Sequence, residues 1–281
     1  TLLMTDAAVK QKIAAEEKQA AAEAAELAKV SADAGEAFEK WLAERPANAT
    51  LPGQTGHFPF DEYKDGKLPN LAGESKQASS SQKNKIVPGK NGNGLRLTGD
   101  DGVNLGIGNF KRTAPFSIAL WMNTPHHKER TVVFSRSRAW TDAGSRGYQM
   151  LLRDGHLSAS LIHFWPGNAI SVRTKAKLPK NEWHHVAITY DGSTKAGGLE
   201  IYVDGKLVET EIHKDNLYKN ITGGGGDTIV IGQRFRDVGF AGGLVDDFRV
   251  FKRELTGGEV AQVHDGESLA KLLAKPVDVL G

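Results

Sequence analysis

From residue 95 onward the chain alternates, with large apolar side chains recurring at every second position in runs closed by Asp-Gly or Gly-rich turns. Phe116-Ser-Ile-Ala-Leu-Trp-Met122, Thr131-Val-Val-Phe134, Tyr148-Gln-Met-Leu-Leu152 and Leu157-Ser-Ala-Ser-Leu-Ile162 come first. His184 to Tyr190, Leu199-Glu-Ile-Tyr-Val203, Thr228-Ile-Val-Ile231 and Gly243 to Phe251 follow. A period of two is a strand signature, because successive side chains leave opposite faces of an extended backbone. Asp154-Gly155, Asp191-Gly192 and Asp204-Gly205 predict hairpins, since tight turns need the positive φ that glycine tolerates. Parallel strands would need long crossovers, and the spacing leaves no room for them. The expected fold class is mainly β, an antiparallel two-sheet β-sandwich of meander or jelly-roll type.

The flanks read differently. Residues 5 to about 45 are rich in Ala, Glu, Lys and Gln, the strong helix formers. Thr5 or Asp6 is the expected N-cap, Gly35 a possible break into two helices, and Pro46 the stop. Val9, Ile13, Leu27, Val30, Phe38, Trp41 and Leu42 supply a narrow apolar stripe, open to a partner helix or to the sandwich; a solvated linker is the alternative. Residues 46–94 are crowded with turn formers and hold short strands at best, at His57-Phe-Pro-Phe60 and Gly94-Leu-Arg-Leu-Thr98. Thr256 predicts the cap of a closing helix through His264, and a second helical piece spans Glu267 to Ala274. The expected division is a helical flank over 1–46, a sandwich over 47–255 and a helical tail over 256–281.

Composition excludes several classes. A net charge of +2 lacks the electrostatic footprint of nucleic-acid binding. Without cysteine there are no disulfides, thiolate metal sites or thiol nucleophiles. No apolar run reaches the roughly 18 residues of a membrane-spanning helix. The first residue is Thr1, so the chain reads as a fragment of a longer protein.

The ordered strand set resembles one family. Phe116-Ser-Ile-Ala-Leu-Trp121 is similar to its F-S-x-x-x-W strand, and Tyr148 to Leu157 to its Y-x-L-x-L-x-x-D-G-x-L hairpin. Trp183-His-His-Val-Ala-Ile-Thr-Tyr-Asp-Gly192 is similar to its most diagnostic strand. Leu199 to Val208, Ile229-Val-Ile-Gly232 and Phe240 to Leu255 match the rest in order. The chain thus resembles laminin-G-like jelly rolls of the concanavalin A-like lectin/glucanase superfamily, like those embedded in large planctomycete multi-domain proteins. The resemblance implies a non-catalytic module that binds carbohydrate or a protein surface. It also implies an extracytoplasmic setting beside other domains of the same full-length chain. A structural spacer docked by its terminal helices, or a glycoside hydrolase, are the alternatives.

The hydrolases of that superfamily pair two carboxylates on one strand face as acid and nucleophile. Here Glu200 and Asp204 share parity, but Asp204 belongs to a turn. Asp61-Glu62 and Asp246-Asp247 are neighbours that point to opposite faces. The resemblance also implies a calcium ion held by Asp61 and Asp246, with Asp65 and Asn70 as further oxygens; alternatively Asp246 caps a bend or pairs with Arg249 or Arg253. His184 and His185 face opposite ways and read as scaffold, one packed against Trp183 or a loop, while His126-His127 is expected in an exposed turn. The ligand-binding candidates are Arg136, Arg138, Trp140, Arg146, Trp165, Asn168 and Arg173. Aromatic faces stack on sugar rings, and Arg and Asn offer planar hydrogen bonds, so an acidic glycan is the expected ligand.

Overall fold

A computed structural model describes residues 7–43, 51–72, 77–81 and 83–274. In chain order the elements are α1 (Ala7–Ala43), β1 (Gln54–Phe58), β2 (Lys67–Leu68), β3 (Ala78–Ser79), β4 (Lys85–Pro88), β5 (Asn93–Arg96) and β6 (Val103–Asn104). Next come β7 (Phe116–Asn123), β8 (Thr131–Arg136), β9 (Gly147–Arg153), β10 (His156–Phe164), β11 (Asn168–Thr174) and β12 (His184–Tyr190). The chain closes with β13 (Leu199–Val203), β14 (Lys206–Leu207), β15 (Thr210–Asn216), β16 (Val230–Ile231), β17 (Leu244–Phe251), α2 (Gly257–Asp265) and α3 (Ser268–Leu273).

Among the described residues the strands form two antiparallel sheets. The eight-stranded one runs β14-β13-β12-β7-β17-β5-β4, with β1 also on β17; the nine-stranded one runs β15-β11-β10-β9-β8-β16-β6-β3-β2. The expected two-sheet sandwich is what the alternation builds. Phe116, Ile118, Leu120 and Met122 of β7 face Tyr148, Met150 and Leu152 of β9 across one buried core. Phe116 packs on Tyr148 with ring centroids 4.8 Å apart, and Phe134 of β8 meets Phe248 of β17 edge to face at 5.5 Å. Burying side chains of this size is worth roughly 1.5–3 kcal/mol each, and that is what holds the two sheets together.

The residues of opposite parity decide what each sheet shows outward. On the eight-stranded sheet, Ala119, Ala187, Tyr202 and Phe251 form a second apolar cluster with Leu255, Val260 and Val263. Helix α2 thereby lies on that face. The Thr256 side chain accepts from the Glu259 N–H while Glu259 reaches back to the Thr256 N–H, and Gly266 ends the helix at φ 74°. The compact unit is Thr50–Leu269, so α2 packs as part of the sandwich unit.

The flanks, 1–49 with 270–281, form the other unit. There α1 runs unbroken from Ala7 to Ala43, so Gly35 interrupts nothing. One glycine costs about 1 kcal/mol in a helix, which the surrounding Ala, Glu and Lys outweigh. Val9, Ile13, Leu27 and Val30 are exposed along it. The expected cap at Thr5 or Asp6 and the stop at Pro46 lie outside the described residues. Within those residues no helix is long and apolar enough to cross a membrane.

Candidate ligand-binding site

On the nine-stranded sheet, Tyr148, Met150 and Leu152 of β9, Leu157, Ala159 and Leu161 of β10, and Ile170 and Val172 of β11 point into the core. Their neighbours therefore line the opposite face: Gln149, Leu151 and Arg153; Ser158, Ser160 and Ile162; Ala169, Ser171 and Arg173. The register sets them in rows, with Ser160 between Gln149 and Ser171, and Ser158 between Leu151 and Arg173. Ser160 donates to or accepts from Ser171 at 2.9 Å. This face is thus small and hydroxylated where a core-facing strand would be apolar, although Gln149, Ser158, Ser160 and Ser171 are themselves buried.

Two tryptophans lie in the loops that leave this sheet. Trp140 lies in the loop after β8, anchored by its N–H to the Phe235 carbonyl (3.1 Å), and Trp165 lies in the β10–β11 turn. Their rings are 6.2 Å apart at 53°. With Thr141 and Ser145 they enclose a cavity of about 160 Å³. The Arg130 guanidinium sits 4.0 Å from the Trp140 ring centre, and that of Arg234 at 5.1 Å. Both arginines grip Asp237, at 2.6 Å and 2.5 Å. Burial opposes the charge on Asp237, yet the hydrogen bonds and charges of Arg130 and Arg234 outweigh it and hold the carboxyl below its usual range. Burial pushes Arg234 down to about 10, still a cation at neutral pH. Arg234 also donates to Ser137 Oγ and to Gln149 Oε1 at 2.7 Å, which locks this face to the loops.

The structure brings only part of the expected set together. Trp140 and Trp165 meet, and both are half-buried. Arg138 is exposed, and Arg146 points an Nη2 to within 3.5 Å of His163 Nε2. Arg173 lies on the outer face and donates to the Arg153 carbonyl at 3.3 Å. Arg136 is a correction: it shares the parity of Phe134 and Tyr148, is fully buried, and donates to the Ile221 carbonyl (2.9 Å), Asn109 and Asp227 (2.6 Å). It offers nothing to a ligand. Asn168 is a second correction, because its buried Oδ1 accepts the Tyr218 and Lys219 N–H groups and so pins a neighbouring loop. Arg130, Arg153 and Arg234 were missed. Parity in β9 marks Arg153, but no local pattern links Arg130 and Arg234, which approach from separate loops.

The two candidate metal ligands meet one turn from opposite sides. Asp246 Oδ2 accepts the Lys90 and Asn91 N–H groups at 2.8 Å, and Asp61 Oδ1 accepts that of Asn93 at 2.8 Å, all in the β4–β5 turn. Asp246 Oδ1 is buried without a hydrogen-bond partner, and burial lifts the carboxyl to about 6. Phe60 and Asp247, the neighbours of these acids, hold φ of 60° and 46°, a conformation that costs non-glycine residues energy. Asp246 Oδ2 and Asp61 Oδ1 thus cap the turn through its N–H groups, and the orphaned buried Asp246 Oδ1 is the atom that suits a hard cation. Asn70 is spoken for: its Oδ1 accepts from His57 and Ala72. Asp65 is an exposed turn residue. Arg249 pairs with Asp247 at 2.9 Å, and Arg253 with Glu259, so neither is a partner for Asp246.

The histidines do scaffold work. His184 Nδ1 binds Asp204 Oδ2 at 2.9 Å, whereas buried His185 packs on Trp121, not on Trp183. His126 and His127 are half-buried, each bonded to a backbone carbonyl, of Ala241 and Leu178, where an exposed turn was expected.

A family model for the concanavalin A-like lectin/glucanases superfamily matches residues 97–261, more than half of the chain. The chain belongs to this superfamily. No curated protein matches the sequence. Among solved structures, this superfamily member is similar to the binding domain of Paraclostridial Mosquitocidal Protein 1, with TM-score 0.59 and 17% identity over 76% of this chain and 52% of that one. It is also similar to domain 4 of AbnA, an extracellular arabinanase from Geobacillus stearothermophilus solved with arabinotriose. There the TM-score is 0.53 and the identity 19%, over 75% of this chain and 98% of that one. The botulinum neurotoxin serotype D binding domain matches with TM-score 0.54 and 17% identity, over 76% of this chain and 52% of that one. The match therefore spans about half the length of the two toxin domains and nearly all of the arabinanase domain. At these identities the likeness is one of fold.

Proposed function

We propose that the sandwich is a non-catalytic module that binds carbohydrate on the outer face of its nine-stranded sheet. The observation that carries this reading is the meeting of Trp140 and Trp165 at an open cavity in the loops of that sheet. Paired indole rings around an open cavity stack on the apolar faces of sugar rings, and the exposed Thr141 hydroxyl beside them suits a sugar hydroxyl. Among the described residues, Asp237 is the carboxylate of this cluster, and two arginines hold it ionised, so it does not serve as a proton donor for glycosidic cleavage. That supports binding over hydrolysis. An extracytoplasmic setting, within a longer chain whose other domains are partners, belongs to the same reading.

The test is Trp165→Ala, assayed by glycan array and then by calorimetry on whatever oligosaccharide the wild type retains. A central aromatic anchor is worth about 2 kcal/mol, so affinity should fall roughly thirtyfold with the melting temperature nearly unchanged. A drop in melting temperature with affinity intact would place Trp165 in the core and remove the site.

We also infer a calcium ion at the β4–β5 turn, held by Asp61 and Asp246; bound there it would neutralise the buried Asp246 carboxylate. At a hundredfold excess over its Kd an ion adds about 2.7 kcal/mol, some 5–10 °C for a domain of this size. Wild type should melt that much higher in calcium than in chelator, and Asp246→Asn should not respond. Equal midpoints for the wild type would remove the ion.

A further inference from the structure

Beside the tryptophan pair, the same face carries positive charge that stacking does not require. Arg153 ends β9 and Arg173 lies near the end of β11, both with the outward parity, and only β10 runs between them. The Arg173 Nη2 contact with the Arg153 carbonyl fixes the two side by side. Arg130, in the loop just before β8, extends the row toward Trp140, whose ring it covers. The arginines therefore lie just before β8, at the end of β9 and near the end of β11, with β10 between the last two.

Their counter-charges are few. Asp237 is shared by Arg130 and Arg234. Glu211, across from Arg173 in the register, is bonded to His213 at 3.0 Å. Asp154 is exposed in the hairpin turn next to Arg153. Among the described residues neither Arg153 nor Arg173 has an ion pair, and Arg173 Nε is buried without a hydrogen-bond partner. Burial first, then the Arg130 and Arg173 charges, weaken the hold of Arg153 on its proton, only partly offset by Asp154 and Asp237. Half-buried cations that repel one another raise the free energy of the empty face and lower it when an anion arrives.

We propose that Arg153 and Arg173 make this face selective for an anionic sugar, a uronate or a sulfate ester, whose charge lies between the two guanidinium forks while another ring of the same oligosaccharide stacks on Trp140 and Trp165. This rests on the carbohydrate-binding reading and adds the chemical class of its ligand. Carboxylate and sulfate share the geometry that a guanidinium meets with two parallel hydrogen bonds. From Ser158, beside Arg173, to Trp165 in the following turn is seven residues, roughly 20 Å of extended strand. The ligand is then a short oligosaccharide, not a single sugar.

Three probes separate the possibilities on the full chain by calorimetry: an oligogalacturonate, its methyl ester, and a sulfated galactan oligosaccharide. At 50 mM salt either the uronate or the sulfated probe should bind at least tenfold more tightly than the neutral ester. That preference should shrink at 300 mM salt and fall below threefold in the Arg153→Gln/Arg173→Gln double variant, while weak binding of the ester persists. Which anionic probe binds tells carboxylate from sulfate. Should the double variant fail to fold, Arg153→Lys/Arg173→Lys, which keeps the charge without the fork, should retain a salt-sensitive but weaker preference. Equal affinity for charged and neutral probes, or a preference that survives in the Gln variant, would overturn the assignment and leave the tryptophan site standing. If none of the three binds, the carbohydrate reading falls with it.

Discussion

Buried titratable residues give this domain its pH response, and two of them act in opposite directions. His185 is wedged between Trp121 and His264, at centroid separations of 5.4 and 5.5 Å. Burial, then the His264 charge, pushes it down to about 4. In the unfolded chain it titrates near 6.5, so between 6.5 and 4 the unfolded state holds the extra proton. His185 therefore leaves stability intact above about 6.5 and subtracts from it as pH falls, by order of 3 kcal/mol at pH 4. Asp246 does the reverse: its folded value of about 6 exceeds the unfolded 3.9, so its protonation relieves a burial cost as pH falls through that window. Denaturant melts of the metal-free protein at pH 7 and 4.5 should show a net acid-side decline that His185→Phe abolishes and Asp246→Asn steepens. An unchanged decline in the Phe variant would assign it to other groups. The two corrections at this scale, Arg136 and Asn168, have one cause. A polar residue in a strand next to a loop looks the same in sequence whether it binds a ligand or satisfies buried backbone groups.

At the level of elements, the site depends on how closely β8 and β9 pair where the Trp140 loop leaves the sheet. Gly147 opens β9 at φ 147°, and a Cβ there would sit 1.6 Å from the Arg136 carbonyl oxygen. A backbone atom cannot yield as a side chain end can, so Gly147→Ala must spread the two strands or break the ladder. The expected cost exceeds 3 kcal/mol, read as a large fall in denaturation midpoint or as loss of soluble protein. A variant that melts within a degree of wild type would mean the strands are looser here than their register shows. The hairpins after β9 and β13 formed at the Asp-Gly pairs that predicted them, with Asp154 and Asp204 at φ of 52° and 50°. Helix α2 was equally legible, because the Thr256–Glu259 capping box is a local pattern. The α1 break at Gly35 was misread, because one weak position does not decide a helix of 37 residues.

Within the sandwich unit, the core between the two sheets and the second apolar cluster under α2 together tie in residues from Thr50 to Leu269. A fragment of residues 50–269 should therefore fold and unfold in one cooperative transition by calorimetry, with α2 unfolding as part of it. A broad or two-step melt would show that the unit is not closed at those boundaries.

The alternation after residue 95, the Asp-Gly turns and the ordered motifs were enough for the two-sheet sandwich and its superfamily, because a period of two and a turn are properties of a few adjacent residues. They also marked Trp140, Trp165 and Arg173 as candidates. Only the tertiary structure decided that Arg136 faces the core and that Asp61 and Asp246 grip one turn. It alone brought Arg130 and Arg234 from separate loops to Asp237 over the Trp140 ring. Strand pairing and loop closure join positions up to about a hundred residues apart (Arg130 and Asp237 are separated by 107), and no local pattern encodes which of them will meet.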